Sequence, residues 1–408
     1  MTHLNQKDGT MRLLITAERV LLGPAGHHID DGAILIDKNT ILAVGPRLEV
    51  EAQAGGDVRR RDFPNHTILP GLINCHVHLA LDAGSDPLEQ YLATEDTDLV
   101  LGMAGRAQQA ARSGVTTIRD LGDRQGLAFR LREAIARGEL SGPRILASGA
   151  PLTIPRGHCH FFGGEVSGEH EIRQHVRDMA DRGADLIKVM ASGGHITPES
   201  PPMWATQFSA DELRIIVDEA STAGLPVAAH AHGSDAIAAA VDAGVSTIEH
   251  CTWLRSGGGG YDQRDDVAKR MADQGVYACI AWPPDWRGFM ERLGPERAEQ
   301  IVERFLWMDE LGIRLLPGTD AGLRGSGFDN YIDALELYAH IGFSNAQIIE
   351  MATATSAQAL GMGESVGQLQ PGYSADLIVV DGNPLVSLEH LRHPQLVLAR
   401  GHEFHSPT

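Results

Sequence analysis

From about residue 69 onward, short runs of apolar and β-branched residues alternate with longer segments whose apolar positions recur at helical spacing. The apolar runs are TILPGLINCHVHL, GVTTIRDLG, PRILASGAPL, ADLIKVMASGG, LPVAAHAHG, VSTIEHCTW, VYACIAW and IRLLPGTDAG. Amphipathic segments such as SADELRIIVDEASTAG and SDAIAAAVDAG lie between them, and Gly244 is typical of a helix C-terminus. Eight strands that alternate with helices predict an α/β fold, a (β/α)8 TIM barrel over residues 69–361. An open, doubly wound sheet is the structural alternative, because a strand count does not establish closure.

The two chain ends have a different pattern, with short strand-like runs separated by turns. RLLITAERVLLG and GAILIDKNTILAVG lie near the start, and SADLIVVDGNPL and QLVLARGHEF lie near the end. These runs predict antiparallel β structure, and residues 10–68 together with 362–405 predict one small composite β-sandwich domain. The sequence SGGGG at 256–260 follows the sixth predicted strand, where we expect either a mobile loop over the barrel mouth or a plain turn.

Composition and charge narrow the range of partners. The chain has 408 residues, 43% of them hydrophobic, and a formal net charge of −20. A surface of that sign repels nucleic-acid backbones and anionic membranes, so we expect a small-molecule substrate and neither of those partners. No apolar segment has the length of a signal-peptide core or a membrane span, and the four cysteines form no CxxC pair. These features favour a cytoplasmic location.

Several ionisable residues lie where the predicted strands end, the position at which parallel barrels carry their chemistry. His76 and His78 are two apart on a strand, so both side chains point to one face and can bind one metal ion. An HxH pair alone is more often a pair of core histidines. Asp120 also ends a strand, and we expect it to hold a neighbouring loop or ligand in place. Six groups together could supply the nitrogen and oxygen ligands of a binuclear hydrolytic site: His76, His78, Lys188, His230, His250 and Asp320.

Lys188 lies in the apolar strand DLIKVMASGG, where an ammonium ion would carry a heavy desolvation cost. Its side chain could run out to solvent, pair with a buried carboxylate, or lose its proton. A neutral amine can add carbon dioxide to form a carbamate, whose two oxygens could bridge two metal ions. All three possibilities stay open on the strand sequence alone.

With these residues in place, the sequence resembles the amidohydrolase superfamily over nearly the whole chain. The resemblance rests on LPGLINCHVH, GVTTIRDLG, IKVMASGG, VAAHAHG, TIEH, LPGTDAG and ADLIVVDGNP. KVMASGG followed by TIEH is most similar to the imidazolonepropionase-like and Xaa-Pro-dipeptidase-like hydrolases. The resemblance implies a (β/α)8 barrel with a composite β-sandwich, and a homo-oligomer.

The resemblance also implies a role for each ligand. The HxH pair of the first strand and Asp320 match the ligands of the more buried metal ion, and Lys188 matches a carboxylated lysine that bridges both ions. His230 and His250 match the ligands of the second, more exposed ion. Two zinc ions are the usual cofactor, although the ligand set would also accept manganese, cobalt or iron.

Related deaminases carry a glutamate three residues after the fifth-strand histidine, whereas this chain has Gly233 there, which favours hydrolysis. We therefore expect a metal-dependent amidohydrolase that cleaves the C–N bond of an N-acyl amino acid, a dipeptide or an aryl amide. A metal-bridging hydroxide would attack the carbonyl carbon, and Asp320 would pass its proton to the departing amine. The alternatives are a carbamate, lactone, ester or phosphotriester substrate, and a binding protein without enzymatic activity, although the chain keeps all six ligands.

Four further residues are candidates for substrate contact. Relatives carry GGH where this chain has RGH, and they use that histidine on the substrate, so His158 is the matching candidate. His232 is expected to face the substrate or to support a ligand, although Xaa-Pro-dipeptidase-like relatives carry tyrosine there. Arg156 could bind a substrate carboxylate, with a solvated loop arginine as the alternative, and His195 could reach the pocket from just beyond Lys188.

Overall fold

The structure, a computed structural model, describes residues 12–24 and 26–404. By internal packing the chain forms two units, one from residues up to 72 and from 345 onward, and the other from Ile73–Ser344. The strands of the described residues are β1 (Arg12–Leu21), β2 (His28–Asp37), β3 (Thr40–Pro46), β4 (Val58–Pro70), β5 (Leu72–Val77), β6 (Val115–Asp120), β7 (Arg144–Ala147), β8 (Ile187–Met190), β9 (Val227–Gly233), β10 (Thr247–Leu254), β11 (Tyr277–Ala281), β12 (Leu315–Gly318), β13 (Leu377–Asp381), β14 (Leu396–Ala399) and β15 (His402–Phe404).

The α-helices lie mainly between the parallel strands. They are α1 (Arg47–Ala54), α2 (Pro87–Ala93), α3 (Asp96–Arg112), α4 (Leu127–Ala136), α5 (Gly168–Asp181), α6 (Ala210–Thr222), α7 (Ser234–Ala243), α8 (Asp265–Asp273), α9 (Trp286–Leu293), α10 (Pro295–Glu310), α11 (Tyr331–Ile341), α12 (Asn345–Glu350) and α13 (Ser356–Ala359). Within the described residues, no helix is both long enough and apolar enough to cross a bilayer.

The eight predicted apolar runs form eight strands, β5 to β12, that close into a barrel. Strands β8 to β12 make one sheet, and β5, β6 and β7 make another. Two parallel bridges join these two sheets, one at each edge: Leu152 pairs with Val189, and Val77 pairs with Ala321. Because both edges are joined, the combined eight-stranded sheet has no free edge. The (β/α)8 prediction is confirmed over the open-sheet alternative.

The two helices predicted from amphipathic segments are present, and their ends follow local rules. At the start of α6, the Ser209 side chain accepts from the Glu212 backbone, and the Glu212 side chain accepts from the Ser209 backbone, a capping box. Helix α7 ends at Gly244, whose φ of 86° is the left-handed conformation that glycine adopts without strain. Both helices bury an apolar stripe.

The terminal unit is built from strands of both chain ends, as predicted. It contains one seven-stranded sheet in the order β15-β14-β13-β4-β1-β2-β3. Its pairs are antiparallel except for β1 with β4, which is parallel. The sheet curves, so that the turn at Gly401 lies against the carbonyl of Lys38 from the β2–β3 turn. One curved sheet thus provides both layers of the sandwich, with Ile34, Ile68 and Leu377 in its core.

Candidate active site

The predicted ligands lie at the carboxyl ends of barrel strands and are mostly buried. His76 is on β5, Lys188 is on β8, and Asp320 lies two residues after the end of β12. Asp320 and His250 both have positive φ values, 55° and 66°. Non-glycine residues hold that strained conformation only where the surrounding fold fixes it, which is common at functional sites.

One group of potential metal ligands consists of His76, His78 and Asp320. The Nε2 atoms of both histidines lie 3.2 Å from the same oxygen of Asp320, Oδ1. Burial alone would raise the pKa of Asp320, but the two imidazoles hold it well below its usual range. The ligand atoms of all three lie within 4.8 Å of one another, close enough to share one ion.

A buried carboxylate, Glu249, orients His76 from behind. Its Oε2 lies 2.8 Å from His76 Nδ1, and its Oε1 accepts from Arg119 at 2.8 Å and from Thr247 at 2.5 Å. Burial would raise the pKa of Glu249, but Arg119 and the His76 hydrogen bond hold it well below its usual range. The ionised carboxylate therefore accepts the Nδ1 proton, which leaves the Nε2 lone pair of His76 free for a metal. This pair was not predicted from the sequence, although opposite charges in two apolar strand runs were a signal.

A second group of potential ligands consists of His230, His232 and His250. Their ring centroids lie 4.6 Å apart in each pairing, and His250 is 5.1 Å from the ring of His76 in the first group. Burial, together with the neighbouring imidazoles, lowers the pKa of His230 and His250 well below the usual value. Burial likewise lowers the pKa of His232, to about 3. All three are therefore neutral near pH 7, the form that binds metal. His232, expected at the substrate, lies within the ligand group.

The Lys188 side chain is buried, with 1% of its surface exposed. Among the described residues its Nζ has no hydrogen-bond partner and no ion pair. Two of the three possibilities for this lysine, a path to solvent and a paired ammonium ion, therefore do not match the structure. Burial lowers the pKa of Lys188, which favours the neutral amine.

His158 lies beside the second ligand group, where a substrate contact was predicted. Its ring centroid is 4.6 Å from that of His230. Its backbone nitrogen donates to Gln207 at 2.7 Å, and its Nδ1 lies 3.0 Å from Thr197 Oγ1. Burial, with His232 nearby, lowers the pKa of His158 to about 3, so the imidazole is neutral. The ring packs so closely on Gly194 that a Cβ atom there would lie 2.1 Å from Nε2.

The other two predicted substrate residues are exposed. Arg156 is 77% exposed and forms a 2.8 Å ion pair with Glu199, which is 80% exposed. His195 is exposed as well, but it is close enough to His232 for its charge to act on that imidazole. Asp120 supports the first ligand group as expected, because its carboxylate accepts from the backbone nitrogens of Leu79 at 2.7 Å and of Gly122 at 3.3 Å.

The ligand atoms of this site are of the types that bind divalent metal ions. Two adjoining groups each place three nitrogen or oxygen ligands within reach of one ion. His78 Nδ1 and Lys188 Nζ are buried polar atoms without a partner in the described residues. Imidazole and carboxylate ligands suit zinc and its first-row neighbours.

Comparisons with known proteins show the family of the chain. The amidohydrolase family matches residues 67–402. An ochratoxinase from Aspergillus niger is 28% identical over 423 residues, covering 93% of this chain and 83% of that protein. An imidazolonepropionase from Symbiobacterium thermophilum is 26% identical, covering 86% of this chain and 84% of that protein.

Solved structures give the same result. The structure of a Xaa-Pro dipeptidase with bound methionine superposes with a TM-score of 0.83 at 27% identity, over 97% of this chain and 100% of that one. The resemblance found from the sequence motifs is thereby confirmed. With a family match over most of its length, the chain belongs to the amidohydrolase family and is a hydrolase that acts on carbon–nitrogen bonds.

Proposed function

We propose that the protein hydrolyses the amide or peptide-like bond of a small molecule at a centre of two divalent metal ions, with zinc preferred. The observation that carries this proposal is the buried, unpartnered Nζ of Lys188 beside two adjoining ligand groups. Carboxylation by carbon dioxide would turn that amine into an anion with two ligand oxygens. The proposed ligands are His76, His78, Lys188, His230, His250 and Asp320.

Divalent ions at this site would supply Lewis-acid chemistry, acidifying water and polarising a carbonyl oxygen. Asp320 is the proposed proton carrier, because its low pKa keeps it ionised and able to accept a proton from water. It would then deliver that proton to the departing amine nitrogen. Glu249 and Arg119 keep His76 in the tautomer that the site requires.

His158 is the proposed donor to the substrate oxygen. Thr197 Oγ1 accepts from the backbone nitrogen of Cys159 at 2.8 Å, so its own proton is available to His158 Nδ1. A neutral imidazole that accepts at Nδ1 carries its proton on Nε2. That N–H would stabilise negative charge on the carbonyl oxygen during attack.

An apolar groove supports a substrate with a bulky apolar part. Its volume is about 950 Å³, and it is lined by helix α2 and by loops that follow β5, β7, β8 and β12. The apolar lining residues are Leu81, Pro87, Leu88, Leu92, Ala93, Phe161, Ile196, Pro198 and Leu323. The lining is continuous with the site: Phe161 packs on Phe162, which stacks on His78, and Leu323 donates its backbone N–H to the carbonyl of Asp320. An N-acyl amino acid, a dipeptide or an aryl amide fits these features, and the ochratoxinase and dipeptidase relatives support that class.

The test is metal analysis and a substrate panel on wild type and Asp320→Asn. We expect two bound ions per chain, hydrolysis of N-acyl amino acids or aryl amides, and at least a ~10³-fold loss of turnover in Asp320→Asn with metal retained. Asp329→Asn, an exposed carboxylate on the same loop, is the matched control and should keep full activity. Metal-free protein, or activity confined to esters or phosphotriesters, would contradict the proposal.

A further inference from the structure

Arg304 is a buried cation without a counterion. It lies on α10 with 3% of its surface exposed, and among the described residues no carboxylate acts on its charge. Its Nε and Nη1 atoms have no hydrogen-bond partner among those residues. Burying an unpaired charge is costly, and this chain has 54 acidic residues from which a partner could have come. Its side chain contacts Tyr261 through a hydrogen bond and the ring face, but no carboxylate balances the charge, which leaves that role to a ligand.

Arg304 lies beside the second ligand group. Its guanidinium carbon is 4.4 Å from the ring centroid of Tyr261. Tyr261 pairs with Leu254 at the end of β10, and Leu254 pairs in turn with Gly233, the residue after His232. Arg304 is also close enough to His232 for its charge to act on that imidazole. The cation therefore belongs to the carboxyl-terminal mouth of the barrel, where substrate binds in this fold.

We propose that Arg304 binds a carboxylate of the substrate, so that the enzyme prefers amides that carry a free carboxylate near the scissile bond. This inference rests on the proposed function, because it assigns a substrate class to the same site. The planar guanidinium matches a carboxylate through two parallel hydrogen bonds. Arg156, for which the sequence suggested this role, is already paired with Glu199.

The substrate carboxylate reaches Arg304 past Tyr261. The backbone of Tyr261 pairs with Leu254 and closes the glycine turn, residues 254–261, in which Gly257, Gly258 and Gly259 all have φ values between 81° and 85°. Tyr261 also lines a surface groove of about 720 Å³ with Gly259 and Gly260. Because glycine has no Cβ atom, such a turn can adopt other conformations, and the proposal requires one that uncovers the guanidinium.

The test compares two probes that differ only in charge, N-acetyl-L-phenylalanine and N-acetyl-L-phenylalaninamide. Binding is measured by calorimetry on metal-loaded protein and on protein stripped of metal, because a carboxylate can also bind the ions themselves. We expect the stripped wild type to prefer the carboxylate by at least about 30-fold. Arg304→Met should abolish this preference, and Arg304→Lys should reduce it. Arg214→Met, an exposed arginine on α6, should leave it unchanged.

A structural role for Arg304 predicts a different result. If the arginine only stabilises the fold, Arg304→Met lowers the melting temperature. In that case the folded part of an Arg304→Lys sample keeps the full carboxylate preference, and this result overturns the proposal. If Arg304 binds a substrate carboxylate, Arg304→Met melts at the same or a higher temperature and loses the preference for the carboxylate probe.

Kinetics on the same probes separate this inference from the proposed function. Amide hydrolysis with equal kcat/KM for both probes in wild type and Arg304→Met would refute the role of Arg304 and leave the hydrolase assignment intact. Loss of carboxylate binding in Arg304→Met, in a protein that hydrolyses no amide, would uphold Arg304 as the anion receptor and refute the proposed reaction.

Discussion

Glu249→Gln tests whether Glu249 holds His76, a member of the first ligand group, in the form that binds metal. Glu249 is fully buried, and its two oxygens bind Arg119 and His76 at 2.8 Å each. Glutamine has nearly the same shape but no charge, so the substitution removes the counterion of Arg119, which is itself only 2% exposed. Its amide group could also donate to His76 Nδ1, which would move the imidazole proton to Nε2.

The expected magnitudes follow from these two changes. Removing one member of a buried ion pair costs about 3–5 kcal/mol, because the remaining charge stays buried without a partner. Losing the group that orients a metal-binding histidine costs about 10–100-fold in metal affinity. Glu249→Gln should therefore lower both the stability of metal-free protein and the affinity for metal.

The assays are urea unfolding of metal-free protein and titration with zinc against a competing chelator. Glu139→Gln is the matched control, since Glu139 binds Arg137 through two 2.9 Å hydrogen bonds but is exposed, and no measurable change is expected there. The double variant Arg119→Met/Glu249→Leu should recover stability without recovering metal affinity. Stability within about 1 kcal/mol of wild type in Glu249→Gln, with unchanged zinc affinity, would refute the reasoning.

Three further substitutions have definite expected outcomes. Lys188→Arg introduces a guanidinium that cannot be carboxylated, so elemental analysis should find fewer than two metal ions per chain and turnover should fall at least ~10³-fold; wild-type values would exclude the carbamate. Gly194→Ala places a Cβ 2.1 Å from His158 Nε2, so kcat should fall about 10–100-fold at unchanged metal content, and an unchanged kcat would place His158 outside the reaction. Asp123 is buried, and burial with Asp120 nearby raises its pKa to about 8. The folded state therefore binds more protons than the unfolded state from about pH 4 to 8, and stability should fall across that range as pH rises. Asp123→Asn should remove that component, on the order of a few kcal/mol, from thermal unfolding at pH 5 and 9; an identical pH dependence would contradict the assignment.

The order of strands and helices could be predicted because each carries its own periodicity. The run of β9 and the helix that ends at Gly244 need no distant partner to be recognised. Closure of the barrel is different, because it depends on pairs such as Val77 with Ala321, residues far apart in sequence. Local hydrophobic pattern contains no information on that pairing, so the open sheet remained an alternative until the structure placed both edges together.

The candidate ligands could be predicted because packing and solvation alone seldom place ionisable residues at the ends of apolar strands. Arg304 was overlooked, although it has a signal of the same kind. Residues Ile301, Arg304, Phe305 and Met308 follow the i, i+3, i+4, i+7 spacing of one helix face, and all four are buried. A charged residue inside an apolar stripe marks either a buried ion pair or a ligand contact, and only the structure tells which.

Among the described residues, three lysine or arginine side chains are buried, and they differ in what balances their charge. Arg119 has Glu249 as a permanent partner, so its charge is compensated in the folded protein and it can serve as a fixed support for His76. Lys188 and Arg304 have no such partner among those residues. A fold retains uncompensated buried groups only where something else offsets the cost, and binding is the usual compensation. Carbon dioxide with metal ions would balance Lys188, and a substrate carboxylate would balance Arg304. Lys188 would lie at the reacting bond, and Arg304 would bind the carboxylate end of the substrate. The spacing between these two residues would therefore set the distance from scissile bond to carboxylate that the enzyme accepts.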